Sequence, residues 1–199
     1  MLRNISLSVL LVLVLAAPVR AADFEGRFAV RDVGSLTCGQ VTRGIVESSD
    51  QELQRFVAQL TSWLGGYLTR ANRQTDGVFD IVPIAADRDV LTVAVNRCAA
   101  FPEGTNFEAA VASVVAILQP LAVDEASPVE SLTGSIALRR SVLLEVNRRL
   151  VALGFFEEEG DEPFGSAARV AIRAFREASG MPLSGELDVD TLLLILGRE

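Results

Sequence analysis

Between Leu53 and Leu68 the apolar positions fall three and four residues apart, at Leu53, Phe56, Val57, Leu60, Trp63, Leu64, Tyr67 and Leu68. That spacing gathers them on one face of a helix about five turns long. Ser49-Asp50-Gln51-Glu52 precedes the run and has the form of a capping box, with Ser49 at the cap and Glu52 three residues on. Thr105-Asn106-Phe107-Glu108 repeats the signal, and Phe107, Val111, Val114, Val115 and Leu118 line a second helical face. Between the two, Val90, Leu91, Val93 and Val95 form a short apolar run that period alone assigns to neither helix nor strand.

Three more helical stretches follow. Leu138, Val142, Val146, Leu150 and Leu153 make one apolar face, closed by Gly154 as a C-terminal cap. Ser166 is placed to cap a helix that turns Val170, Ala171, Ala174, Phe175 and Ala178 inward and stops at Gly180 and Pro182. Asp188 is placed to cap a short helix carrying Leu192, Ile195 and Leu196. From Pro120 to Gly134 no period is sustained, and Pro128 interrupts the middle, so this stretch reads as a connector, either partly packed or disordered. The fold class is therefore mainly α, with a small helical domain over 22–119, a linker over 120–136 and a three-helix domain over 137–199. Three short helices in about 60 residues leave a marginal core, which accounts for the dense Leu, Val and Phe usage there.

The first residues have a different pattern. Met1-Leu2-Arg3 is a short basic start, Ile5 to Leu15 is apolar apart from two serines, and Ala16-Ala17-Pro18-Val19-Arg20-Ala21 follows. This is the order of a secretory signal peptide, 1–21, cleaved after Ala21. The apolar run falls short of the roughly 20 residues that span a bilayer, and no membrane span is expected after signal removal. Loss of the leader takes Arg3 and Arg20 with it, leaving 16 arginines against 26 acidic residues and a net charge of −10. That sign argues against nucleic acid or an anionic membrane surface as partner.

The chain has no histidine and no lysine. A Ser-His-Asp triad, a Cys-His dyad, a lysine nucleophile and a histidine-ligated zinc site are all excluded. Carboxylate chemistry needs two placed carboxyls in a cleft, and no local pattern points to such a pair. The chain is accordingly read as a non-enzyme without cofactor or metal. Its two cysteines, Cys38 and Cys98, lack the Cys-x-x-Cys spacing of a redox pair and in an exported protein are most simply a structural disulfide.

The C-terminal stretch resembles the peptidoglycan-binding-like domain found in many cell-wall hydrolases and envelope proteins. The residues that carry the likeness are Leu150-Val151-Ala152-Leu153-Gly154-Phe155-Phe156, Asp161, Phe164-Gly165, Ala171-Ile172-Arg173-Ala174-Phe175, Gly180-Met181, Gly185 and Leu187-Asp188-Val189-Asp190-Thr191. The sequence departs from the family pattern at Asn147 and Arg176, where glutamine is usual, at Glu162, where glycine is usual, and at Ala168, where threonine is usual. The resemblance implies a three-helix fold and peptidoglycan as partner, in a periplasmic protein. A glycan-peptide site would be a shallow groove where the aromatic loop meets the start of the second helix, formed by Phe155, Phe156, Asp161, Phe164 and Gly165. Exposed amides at that helix start favour a peptide carboxylate, and Arg169 and Arg173, one turn apart, are placed to pair with it. The alternative is that Phe164 and at least one of Phe155 and Phe156 belong to the core.

Thr37-Cys38-Gly39-Gln40, Trp63-Leu64-Gly65-Gly66-Tyr67-Leu68-Thr69 with Asn72, and Cys98 followed by Pro102 and Phe107-Glu108-Ala109-Ala110-Val111 make the N-terminal half similar to the HdeA/HdeB-like group of periplasmic acid-stress chaperones. The pattern includes a Gly-Gly break in the long helix. That resemblance implies a holdase acting on unfolded client proteins. A likeness to secreted immunity proteins implies instead one envelope protein as partner, bound by the Trp63–Tyr67 face. With no histidine, any acid response has to come from the carboxylates, below roughly pH 4–5. Closing the 38–98 segment stabilises the fold by about 4 kcal/mol in the chain-entropy model. Replacing both cysteines by serine should lower the urea-unfolding free energy by about that amount.

Overall fold

Capping residues decide where most of the helices begin. The computed structural model describes residue 25 and residues 27–130, 136–157 and 164–197, and divides the chain into Met1–Arg31 and Asp32–Glu199. In the first part Arg27 pairs with Glu25 at 2.9 Å; the expected leader, 1–21, lies outside the described residues. The second part carries all the regular elements named below. Helix α1 (Cys38–Glu47) opens on a capping box in which Gln40 N–H donates to Thr37 Oγ1 at 3.2 Å and Thr37 N–H donates to Gln40 Oε1 at 2.8 Å. Helix α2 (Asp50–Gln74) opens on the expected box, with Ser49 N–H donating to Glu52 Oε2 at 3.0 Å.

Helix α2 is longer than its periodic run suggests, at 25 residues or roughly seven turns. It passes through Gly65-Gly66 without interruption, so the glycine pair is not a break. Gly65 serves close approach instead, since a Cβ there would lie 2.8 Å from Asp87 Oδ2. Asp87 begins α3 (Asp87–Cys98), which settles the ambiguous run as helix. Burial, and then the nearby Asp80, push the Asp87 carboxyl above its usual range.

Helix α4 (Phe107–Leu118) starts one residue later than the expected box, after Asn106, and no side chain caps it. The backbone does that work. Phe107 N–H donates to Leu36 O at 2.7 Å and Cys38 N–H donates to Thr105 O at 2.8 Å, so the segments before α1 and α4 satisfy each other's helix starts. Cys38 and Cys98 form the disulfide, with Cα atoms 5.2 Å apart, tying the start of α1 to the end of α3. Leu60, Leu64 and Leu68 are buried with Val90, Ala94, Phe107 and Val111. Trp63 is half-buried, its ring 5.5 Å from that of Tyr67 and 6.0 Å from that of Phe107. A Cβ on Gly34 would collide with the indole, so this aromatic face is largely packed.

The remaining elements are β1 (Val129–Glu130), β2 (Leu138–Arg139), α5 (Arg140–Ala152), α6 (Ser166–Ala178) and α7 (Val189–Leu196). Strands β1 and β2 pair antiparallel. Leu138, expected on the apolar face of α5, is buried from the strand instead. Gly154 adopts φ +77° after α5, and Gly154 N–H and Phe155 N–H return to Val151 O and Leu150 O, both at 2.9 Å. That double closure is a Schellman motif. Gly180, φ +69°, closes α6 in the same way, with Met181 N–H donating to Arg176 O at 2.9 Å.

Helix α6 differs from its expected phase. Gly165, not Ser166, holds the cap position. The buried positions are Ala168, Ala171, Ile172, Phe175 and Arg176, whereas Val170, Ala174 and Ala178 are exposed. Arg176 is 5% exposed and fully engaged. Its Nε donates to Pro182 O at 2.8 Å, and Nη1 donates to Asp188 Oδ2 and Thr191 Oγ1, both at 2.6 Å. Asp188 caps α7 as expected, accepting from Thr191 N–H at 2.8 Å. Burial alone would raise the Asp188 carboxyl, but the hydrogen bonds from Arg176 and Thr191 outweigh it and hold the group below its usual range.

The two halves meet in a seam. Phe79 and Asp80 N–H donate to Val123 O at 2.8 and 3.0 Å, and Val123 N–H returns to Asp80 O at 2.8 Å. Ile84 pairs with Leu138, Ala85 N–H donates to Ala137 O at 2.9 Å, and Ala137 N–H donates to Asp89 Oδ2 at 3.3 Å. Arg139 crosses this seam: Nη2 pairs with Asp80 Oδ2 at 3.1 Å, Nη1 donates to Ser127 O at 3.2 Å, and the guanidinium lies 4.7 Å over the Phe79 ring. The described part of the connecting stretch is thus partly packed: Val123 is buried, whereas Asp124, Glu125, Ala126, Pro128 and Val129 are exposed.

Arg139→Ala should destabilise the protein by about 3 kcal/mol, because it strands the Asp80 carboxylate in a site with little solvent. Arg139→Lys should recover only part of this, having lost the planar fork; urea unfolding of the three proteins measures both. Asp188 contributes stability that is present above its unfolded value, about pH 3.9, and lost as pH falls through its lowered folded value. Asp188→Asn should therefore melt below the wild type at pH 7, and the gap should narrow in scans taken progressively below about pH 4.

Candidate functional site

The described members of the expected groove lie in the loop between α5 and α6 and in the first turns of α6. Leu150, Leu153 and the turn at Gly154 deliver Phe155 and Phe156 to the outside of the core, and both rings are half-buried. Phe155 stands edge-on to the Phe175 ring, centroids 5.5 Å apart and planes at 84°. Phe164 is in the core at 6% exposure, so its ring is not an open face for a ligand. Asp161 lies outside the described residues.

Phe164 has a different use. The Arg169 guanidinium lies 5.4 Å over its ring, and this contact holds the arginine near the start of α6. Gly185 fixes the other side of Arg169. A Cβ at Gly185 would come within 3.1 Å of Arg169 O, so only glycine lets the 181–187 loop lie this close to α6. Arg173, one turn further on, is exposed. Gly165 offers no side chain to close the first turn of α6, where helix amides carry partial positive charge. Two guanidinium groups and an uncapped helix start place positive charge along the outer strip of α6. Such an arrangement can hold a carboxylate by charge-assisted hydrogen bonds.

The outward strip of α6 also carries Val170, 69% exposed, which the sequence pattern turned inward. Its exposure was detectable only through Ile172: the set Ala168, Ala171, Ile172 and Phe175 follows the helical period as well as the chosen one does. The departures from the family pattern fall mostly inside. Asn147, Ala168 and Arg176 are all buried, and Glu162 is outside the described residues. The three buried changes therefore alter core packing and leave the α6 surface as it is.

Among the described residues no helix is long and apolar enough to cross a membrane, and no cluster of carboxylates or cysteines could hold a metal ion. No curated protein and no solved structure matches the chain. A family model does match, described as "Putative peptidoglycan binding domain", over residues 139–195. The match begins at Arg139 in β2 and ends within α7, so it spans the whole three-helix half. Residues 139–195 of this chain are a domain of that peptidoglycan-binding family.

Proposed function

We propose that this is an exported, non-enzymatic envelope protein that binds peptidoglycan through 137–199 and presents the disulfide-bonded helical domain, 22–119, at the wall. The family match over residues 139–195 carries this reading. The disulfide supports an extracytoplasmic location, since such bonds persist in oxidising compartments. The absence of histidine and lysine removes the commonest catalytic bases and nucleophiles.

Within the domain, Arg169 and Arg173 are assigned to an acidic stem-peptide group, and Phe155 and Phe156 to its apolar part. Arg169 is the better organised of the two, because its guanidinium is already placed over Phe164 and loses less freedom on binding. The N-terminal half is assigned to a protein partner, with the Trp63–Tyr67 face contributing packing and not contact.

Cosedimentation of the full chain with purified sacculi tests the assignment. Saturable pelleting is expected, with affinity falling about tenfold or more in Arg169→Ala/Arg173→Ala as charge-assisted bonds are lost. Equal pelleting by a folded double variant would move the site off α6. A folded wild-type chain that stays in the supernatant would remove peptidoglycan as the ligand.

A further inference from the structure

A cleft of about 440 Å³ runs between α3 and α4 on one side and the first turns of α7 on the other, with Val93, Val114, Ile117, Leu118 and Leu193 as its apolar walls. A second hollow of about 280 Å³ shares Val93, Asn96 and Asp190 with it. The larger volume suits a small molecule and not a protein surface. Since α3 and α4 lie outside residues 139–195, the cleft belongs to this chain's particular joining of two halves.

Charge is sorted along it. Arg97 lines only the larger part, Asp89 and Asp188 only the smaller, and Asp190 both. Asp89 and Asp188 are already engaged, by Ala137 N–H and by Arg176. Arg97 and Asp190 form no ion pair among the described residues, either with each other or with a third group. Arg97 is nonetheless oriented: its Nε donates to Ser113 Oγ at 3.2 Å and its guanidinium lies 5.9 Å from the Phe101 ring centre. Among the described residues the carboxylates do not converge into a metal site.

A wholly apolar ligand would cover the walls and leave the exposed, unpaired Arg97 and Asp190 side chains unused. A ligand with one sign of charge would pair with one of them and be repelled by the other. A zwitterion with an aliphatic middle suits both charges and the apolar walls. We propose that the cleft binds a short peptide with free termini and small aliphatic side chains. Its carboxylate lies at Arg97 and Asn96, its methyl groups rest on Val93, Ile117 and Leu193, and its ammonium group lies at Asp190.

Calorimetric titration of the full chain with trialanine, and with a tripeptide ending in D-alanyl-D-alanine, tests this. Saturable binding at or below about 1 mM is expected. It should weaken about tenfold in Arg97→Gln and in Asp190→Asn, and disappear when the peptide is N-acetylated and C-amidated. Both side chains are exposed, so unchanged melting temperatures will confirm that the variants are folded. Tighter binding of the D-ended peptide identifies wall fragments as the source, and tighter binding of the all-L peptide identifies ordinary peptides. No saturation by about 10 mM in folded protein, or affinity indifferent to both substitutions, overturns the proposal. The inference does not rest on the wall reading. Peptide binding lost while sacculus pelleting persists sinks only this site, and the reverse sinks only the wall reading.

Discussion

Arg139 holds together three stretches of chain that are remote in sequence: the turn at Phe79-Asp80, the connecting stretch at Ser127, and its own strand at the entrance to α5. Its side chain and that of Asp80 retain only 16% and 15% of their exposure, so the pair is largely out of water. Taking two charges out of water is costly, and the cost is offset only when geometry and further hydrogen bonds are good. Here the guanidinium has a carboxylate, a carbonyl and an aromatic face, with Nε left buried and without a partner, and Asn72 Nδ2 approaches the other Asp80 oxygen at 3.5 Å. Around it the backbone completes the join through Val123, Ala85 and Ala137. The position of the second half relative to the first, and with it the cleft beside α7, depends on this seam.

Inside the C-terminal half a second buried arginine plays an equivalent part. Arg176 occupies a place where the family usually has glutamine, and its added charge is met by Asp188. Three elements are thereby locked at one point: α6 through the arginine itself, the 181–187 loop through Pro182 O, and α7 through its cap. Asp188 is still about half exposed, so the pair keeps some contact with solvent and its strength is screened accordingly. Asp87 works in the opposite direction. Its raised carboxyl contributes stability at low pH that is lost as pH rises, partly cancelling the acid sensitivity that Asp188 confers.

Much of the fold was legible because helix boundaries carry local chemistry. Ser49 with Glu52, Asp188 with Thr191, and the glycines at 154 and 180 each mark an end that the structure reproduces. Helix α1 went unread although Thr37 and Gln40 form the same type of box, because the stretch has too few apolar positions to show a period. Helix α6 was misphased because an arginine in the core makes the true face look broken and a neighbouring alanine-rich face look continuous. The seam could not be read at all, since isolated bridges between short irregular segments have no period and no fixed spacing. Of the groove residues, the sequence placed Arg169 and Arg173 near one another, but it could not tell that Phe164 would lie beneath the first of them.

A domain hung on a slack leash lets its neighbour sample a sphere of positions, and a tug on one is absorbed by uncoiling the leash. The connection here is instead pinned at points, by the hydrogen bonds of Val123 and Ser127 and by the pairing of β1 with β2. A force applied to the α6 surface is carried through α5 and β2 to the Arg139 crossing, and from there to the turn before α3, whose far end is bolted to α1 by the disulfide. A load on one half therefore reaches the other through hydrogen bonds and an ion pair, and not through an uncoiling tether.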